Sequence, residues 1–77
     1  MARKARSSYL VDRTWLLMAR RAKGYSQTLV AEKCDITHSK YSNIERGVID
    51  PSIEVGLKLA DLFGVDVRKF INEQAIL

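Results

Sequence analysis

The stretch from Ser26 to Gly47, SQTLVAEKCDITHSKYSNIERG, limits what this chain can become more than any other. Two hydroxyl residues stand where helices need caps. The Ser26 side chain can accept from the open amides of a first turn, and Thr37 can do the same farther on. Between them Val30, Ala31 and Cys34 recur at helical spacing, which gives the first of two helices one apolar, partly small face. Asp35 and Ile36 break that period. After Thr37, Tyr41 and Ile44 share a face three residues apart, whereas His38, Ser39, Lys40, Ser42 and Asn43 occupy the other faces. All five can hydrogen-bond and none is acidic. Gly47 then offers a left-handed stop. The pattern predicts two short helices meeting at a tight turn, the second dressed for polar contact.

Such a pair suits a helix-turn-helix, whose second helix enters the major groove. The rest of the chain must support it with little material. Its 77 residues make one domain at most, and a core that small leaves no apolar face to waste. Thirteen Lys and Arg against nine Asp and Glu leave a net charge of +4, which favours an anionic partner such as nucleic acid. Cys34 is the single cysteine, so an internal disulfide is excluded and a reducing cytoplasm is the simplest home. No apolar run approaches the roughly 20 residues that span a bilayer, so no membrane partner is expected. Period-two alternation is almost missing, and the expected fold class is all-α.

Along the chain, residues 1–8 hold Arg3, Lys4 and Arg6 and, apart from Met1, no large apolar side chain. They read as a flexible basic N-terminal arm that is either solvated, or follows a phosphate backbone or reaches into a minor groove. The folded domain is expected over residues 9–77. Its first helix should run from Tyr9 to Lys23, with Ser8 or Asp12 near its start and Gly24 at its end. Leu16, Ala19, Arg20 and Lys23 fall on one stripe, and Trp15, Leu17, Met18 and Ala22 widen its apolar surface. After Gly47 comes the loop Val48-Ile49-Asp50-Pro51. Ser52 can cap a helix carrying Ile53, Leu57, Ala60 and Phe63 on one face, with Leu59 beside them and Gly64 at its end. Asp66 can cap a last helix through about Gln74, with Val67, Phe70 and Ile71 apolar. The apolar tail Ala75-Ile76-Leu77 points to an interface or to packing on the first helix.

Gly24-Tyr25-Ser26-Gln27, Val30-Ala31, Ser42-Asn43-Ile44-Glu45-Arg46-Gly47 and Pro51-Ser52, taken as a spaced set, resemble the Cro/CI-type (XRE) helix-turn-helix family from about Leu16 to Val65. The resemblance implies a compact five-helix, lambda-repressor-like DNA-binding domain, and a transcriptional regulator that binds a palindromic double-stranded DNA operator as a homodimer. It makes Gln27 a phosphate ligand at the start of the second helix, where free amides already favour an anion. It places Thr37, His38, Ser39 and Asn43 where family members meet base edges and nearby phosphates. Asn can bind adenine in two places, and Ser and Thr can contact several bases. Lys40 and Arg46 would supply charge for phosphates. Arg20 and Glu45 match a family salt bridge that sets the angle of the recognition helix.

Three positions depart from the family pattern. Asp35 stands where glycine is usual in the turn, and Asp tolerates the left-handed conformation better than most residues. Val48 and Ile49 replace basic or polar residues, which weakens phosphate contact there and makes them candidates, with Phe70 and Leu77, for a dimer interface. Gly56 replaces a larger apolar residue. An enzyme is not expected: Cys34 and His38 lie across a turn, and no second His or Cys completes a metal site. No cofactor, metal or small-molecule ligand is expected either. The rival reading is an antitoxin or protein-interaction module on the same fold. The non-acidic face and the positive charge favour DNA, with repression as the expected outcome.

Overall fold

Side chains close in sequence set the ends of nearly every element. The computed structural model describes residues 10–71 together with residues 75 and 76. Helix α1 spans Thr14–Ala22, α2 Gln27–Lys33, α3 His38–Glu45 and α4 Ile53–Phe63, and a single 3₁₀ turn spans Val67–Phe70. Ser26 Oγ accepts from the Leu29 N–H at 3.0 Å, Thr37 Oγ1 from Lys40 at 3.0 Å, and Ser52 Oγ from Val55 at 3.2 Å. Each hydroxyl satisfies one of the amides that a helix start leaves open. Asp66 does the same for the 3₁₀ turn, accepting from the Arg68 N–H at 2.9 Å. Between α2 and α3, Asp35 adopts φ +61°, the one described non-glycine residue in the left-handed region. The chain thereby reverses, and Ile36 N–H reaches the Ala31 carbonyl at 3.0 Å.

The class is all-α, with the α2–turn–α3 pair at its centre, but three expectations need correction. The first helix begins at Thr14, not Tyr9. Asp12 Oδ1 takes both the Thr14 N–H, at 3.0 Å, and its hydroxyl, at 2.7 Å, which turns the chain just before the helix. Upstream, Leu10–Val11 (β1) pairs antiparallel with Ala75–Ile76 (β2), Leu10 opposite Ile76 and Val11 opposite Ala75. That ladder joins residues far apart in sequence, and two residues show no period. The fifth helix is reduced, among the described residues, to the 3₁₀ turn at Val67–Phe70, so the expected count of five α-helices becomes four. Residues 1–9, 72–74 and 77 lie outside the described part, and with them the arm and the end of the expected last helix.

The third correction concerns α4. The sequence pattern puts Ile53, Leu57, Ala60 and Phe63 on its apolar stripe with Leu59 beside them, and of these Leu59, Ala60 and Phe63 are buried. The face that packs inward is Val55, Leu59 and Phe63, with Ala60 beside them, while Ile53 and Leu57 are 77% and 52% exposed. The core joins those α4 residues to Leu16 of α1, Val30, Ala31 and Cys34 of the α2 segment, and Tyr41 and Ile44 of α3. Trp15 meets Phe70 edge-on, ring centres 5.0 Å apart, and so ties the 3₁₀ turn to α1. Gly47 ends α3 at φ +78°, and a Cβ there would run into the Val11 carbonyl. Only glycine lets β1 lie against the end of α3.

Candidate nucleic-acid interface

Helix α3 presents two unlike sides because its residues alternate between core and water. Tyr41, Ile44 and Glu45 are buried, whereas Thr37, His38, Ser39, Lys40 and Arg46 are exposed and Ser42 and Asn43 are half-buried. The outer row therefore carries hydroxyls, an imidazole, an amide and two cations, with no carboxylate among them. Arg46 donates to Asn43 Oδ1 at 3.3 Å. A two-point contact between Asn43 and adenine uses both Oδ1 and the amide nitrogen. Asn43 Oδ1 has a second lone pair, so the contact with Arg46 leaves that oxygen able to accept once more.

Beneath this row sits a buried carboxylate. Glu45 accepts from Arg20 Nε at 2.6 Å and Arg20 NH2 at 3.2 Å, from Gln27 Nε2 at 2.7 Å and from the Tyr41 hydroxyl at 2.9 Å. Arg20 also donates to the Tyr25 carbonyl at 2.9 Å. The Arg20 and Glu45 side chains are 13% and 7% exposed, so the pair is largely out of water. Burial alone would push the Glu45 carboxyl up. The hydrogen bonds from Arg20, then Gln27 and Tyr41, outweigh it and hold the carboxyl below the ordinary carboxylate range. Burial, reinforced by the hydrogen bond to Glu45, raises Tyr41 far above an ordinary phenol. The hydrogen bond to Glu45 raises Arg20 in turn. One carboxylate thus locks α1, α2 and α3 together and fixes how α3 projects.

Gln27 takes a different place from that of a purely external ligand. It is half-buried, and its amide nitrogen already donates to Glu45. An amide nitrogen carries two hydrogens, so one remains for a phosphate. Gln27 thereby connects the outer surface to the buried carboxylate.

Sequence reasoning missed Arg13. Its side chain is wholly buried, and NH1 donates to the Ile44 carbonyl at 2.8 Å and to the Ile49 carbonyl at 2.7 Å. NH2 reaches Asp50 Oδ1 at 2.7 Å, and the guanidinium lies 5.3 Å from the Phe70 ring centre. Arg13 therefore grips the last turn of α3 and the loop after it. A signal was present: Arg13, Leu16 and Arg20 share one helical stripe, and a cation on a mostly apolar stripe needs buried acceptors.

The expected interface residues separate. Ile49 and Phe70 pack against the core, Val48 is half-buried, and Leu77 lies outside the described residues. The exposed apolar side chains nearby are Ile53, Leu57 and Ile71, the last 73% exposed. They rim an open groove of about 230 Å³ whose walls include Pro51, Gly56 and Val67. No group of three His, Cys, Asp or Glu placed to hold a metal occurs among the described residues. No described helix is long and apolar enough to cross a membrane.

The sequence profile of a helix-turn-helix family matches residues 16–70. The chain is 34% identical over 58 residues to the HTH-type transcriptional regulator ImmR of Bacillus subtilis (strain 168), covering 75% of this chain and 46% of ImmR. It is 34% identical over 61 residues to the uncharacterized HTH-type transcriptional regulator YqaF of the same strain, covering 79% of this chain and 80% of YqaF. Among solved structures, the N-terminal DNA binding domain of SinR from Bacillus subtilis matches with a TM-score of 0.68 at 32% identity, over 80% of this chain and 91% of that one. The crystal structure of SinR, the master regulator for biofilm formation, in complex with DNA matches with a TM-score of 0.66 at 31% identity, over 78% and 97%. The chain spans less than half the length of ImmR.

Proposed function

The chain belongs to the XRE-type helix-turn-helix family, and from that premise we propose that it binds double-stranded DNA in a sequence-specific manner as a transcriptional regulator. The observation that carries this reading is the exposed, carboxylate-free row on α3, held outward by the buried Glu45. The matching SinR structure holds DNA, which supports the same reading.

In this reading α3 lies in the major groove. Thr37, His38, Ser39 and Asn43 meet base edges and nearby phosphates, and Lys40 and Arg46 neutralise phosphates. Gln27 spends its second amide hydrogen on a phosphate, so the backbone contact is coupled to Glu45. The operator is palindromic and the chain reads it as a homodimer, with half-sites about 34 Å apart. The face rimmed by Ile53, Leu57 and Ile71 joins the two copies, because it gathers exposed large apolar side chains around one groove. Occupancy of a promoter would make the regulator a repressor, acting in the cytoplasm where chromosomal DNA is reachable.

Selection of bound sequences from a random duplex pool tests this reading. Enrichment of a two-fold symmetric site with that spacing is the expected result. Enrichment of a single asymmetric half-site would refute the dimer, and no enrichment would refute sequence-specific binding.

A further inference from the structure

The Arg13 side chain is wholly buried. Enclosing a cation is unfavourable unless oxygens surround it, and an apolar residue of similar volume in such a place is often no less stabilising. The carboxylate it meets, on Asp50, belongs to a side chain 60% exposed, so solvent weakens that attraction. What a buried guanidinium adds instead is direction, because its flat fork fixes the oxygens it holds. Arg13 is therefore better suited to setting geometry than to supplying stability.

The oxygens it holds lie on both sides of the Gly47 turn. The Ile44 carbonyl belongs to the last turn of α3 and also takes the Gly47 N–H at 3.0 Å, whereas Ile49 and Asp50 belong to the loop that leads into α4. A helix end leaves carbonyls open and carries the negative end of its dipole, so a cation suits that place. The same guanidinium lies over Phe70. Asp50 and Phe70 both line the groove rimmed by Ile53, Leu57 and Ile71. Phe70 is steadied edge-on by Trp15 of α1, and its turn lies close on α4: a Cβ at Gly56 would stand 3.5 Å from Val67 and 4.0 Å from Phe70. Arg13 itself is rooted at the start of α1, its carbonyl accepting from the Leu16 and Leu17 N–H groups at 2.9 and 3.3 Å. One side chain thus spans from the end of α3 to the wall of the groove.

We propose that Arg13 is a positioning residue that sets where α3 stands relative to the apolar groove, and thereby determines which half-site separation the paired chains accept. The proposal rests on the reading above, that the chain binds DNA as a dimer joined at this face, and adds the residue that links the two surfaces. In a two-fold pair the distance and angle between the two α3 helices follow from how each is fixed to the shared face. Base preference within a half-site stays with His38, Ser39 and Asn43 on the outer row of α3. Arg13 governs the separation and that row governs the bases.

The test compares the full chain with Arg13→Met and Arg13→Lys. Affinity is measured on a duplex selected from a random pool, on the same duplex with one base pair added or removed between its half-sites, and on single-base variants within a half-site. One base pair turns a half-site about 35° around the axis and moves it about 3.4 Å along it. Circular dichroism and sedimentation give the helicity and mass of each variant. The parent should favour the selected separation. Arg13→Met should reduce that preference about 5-fold or more, with base preference within a half-site and sedimenting mass as in the parent. Arg13→Lys keeps the charge without the planar fork and should reduce it as well, and it decides alone if Arg13→Met does not fold. A parental separation preference in a folded variant overturns the proposal and leaves the DNA-binding reading standing. Equal weakening on every duplex, loss of the dimer, or failure of both variants to fold marks a purely structural residue and overturns it too. A parent indifferent to separation overturns the dimer reading, a parent that binds no duplex overturns DNA binding, and the proposal falls with either.

Discussion

Replacing Glu45 by methionine strands the donors gathered around it, and the size of the loss can be worked out from the geometry. The Tyr41 hydroxyl is buried and Arg20 largely so, and Glu45 accepts from both. Breaking a buried pair from one side costs about 3–5 kcal/mol, because a charge is left uncompensated. A 77-residue domain has about 4–12 kcal/mol of stability in total, so the single variant sits near the edge of folding. Replacing Arg20 by methionine as well removes the stranded cation. The double variant should recover all but about 1–3 kcal/mol, the cost of the Tyr41 hydroxyl buried without an acceptor. Adding Tyr41→Phe removes that hydroxyl and brings stability close to the parent. Urea unfolding followed by circular dichroism gives each value, provided the denaturant slope stays constant across the series. The triple variant should nevertheless bind its selected duplex more weakly than the parent, since Gln27 has lost its partner and α3 its fixed angle. A single-variant cost below about 1 kcal/mol, the size expected of a surface pair, would refute the claim that this carboxylate is a buried lock.

Other consequences can be measured separately. Gly47→Ala should cost more than Gly64→Ala, although both glycines have positive φ, because the first would collide with the Val11 carbonyl and the second faces open space. The Gly64 change should cost about 1 kcal/mol of backbone strain and the Gly47 change clearly more. Equal losses would show that β1 does not seat on Gly47. The Glu45 carboxyl sits below its ordinary range when folded and returns to about 4.3 when unfolded. Its contribution is complete above that value and is lost as pH falls through the folded one, so parent stability should drop relative to Glu45→Met in acid. A constant difference from pH 7 to pH 3 would contradict this linkage. Leu57→Glu, on the exposed side of α4, should leave helicity unchanged and reduce the sedimenting species from dimer to monomer. An unchanged mass rejects that face as the dimer contact.

What could be read from the sequence divides by the range of the interaction. Ser26, Thr37, Ser52 and Asp66 each bond an amide two or three residues ahead, so the starts of α2, α3, α4 and the 3₁₀ turn were legible from local residue types. The Asp35 turn was legible for the same reason. The start of α1 was not, because the pairing of Leu10–Val11 with Ala75–Ile76 depends on residues at the far end of the chain. The inner face of α4 is only partly legible, at Leu59, Ala60 and Phe63 but not at Val55, because two apolar stripes overlap there. Val55, Leu59 and Phe63 recur every four residues, and Ile53 and Leu57 do as well; only the position of the neighbouring helices decides between them. The polar row on α3 was visible in residue types alone. The donors gathered on Glu45 and the acceptors that Arg13 finds at Ile44, Ile49 and Asp50 were not, since they come from segments brought together by folding.

The most direct test replaces Asn43 by alanine and measures affinity for every single-base variant of the selected duplex. If α3 reads the major groove, preference at one position in each half-site should disappear, with a loss of about 1–3 kcal/mol on the preferred base and little change on the others. Uniform weakening on all duplexes would mean that Asn43 touches only the backbone. No change on any duplex would mean that α3 does not face the DNA.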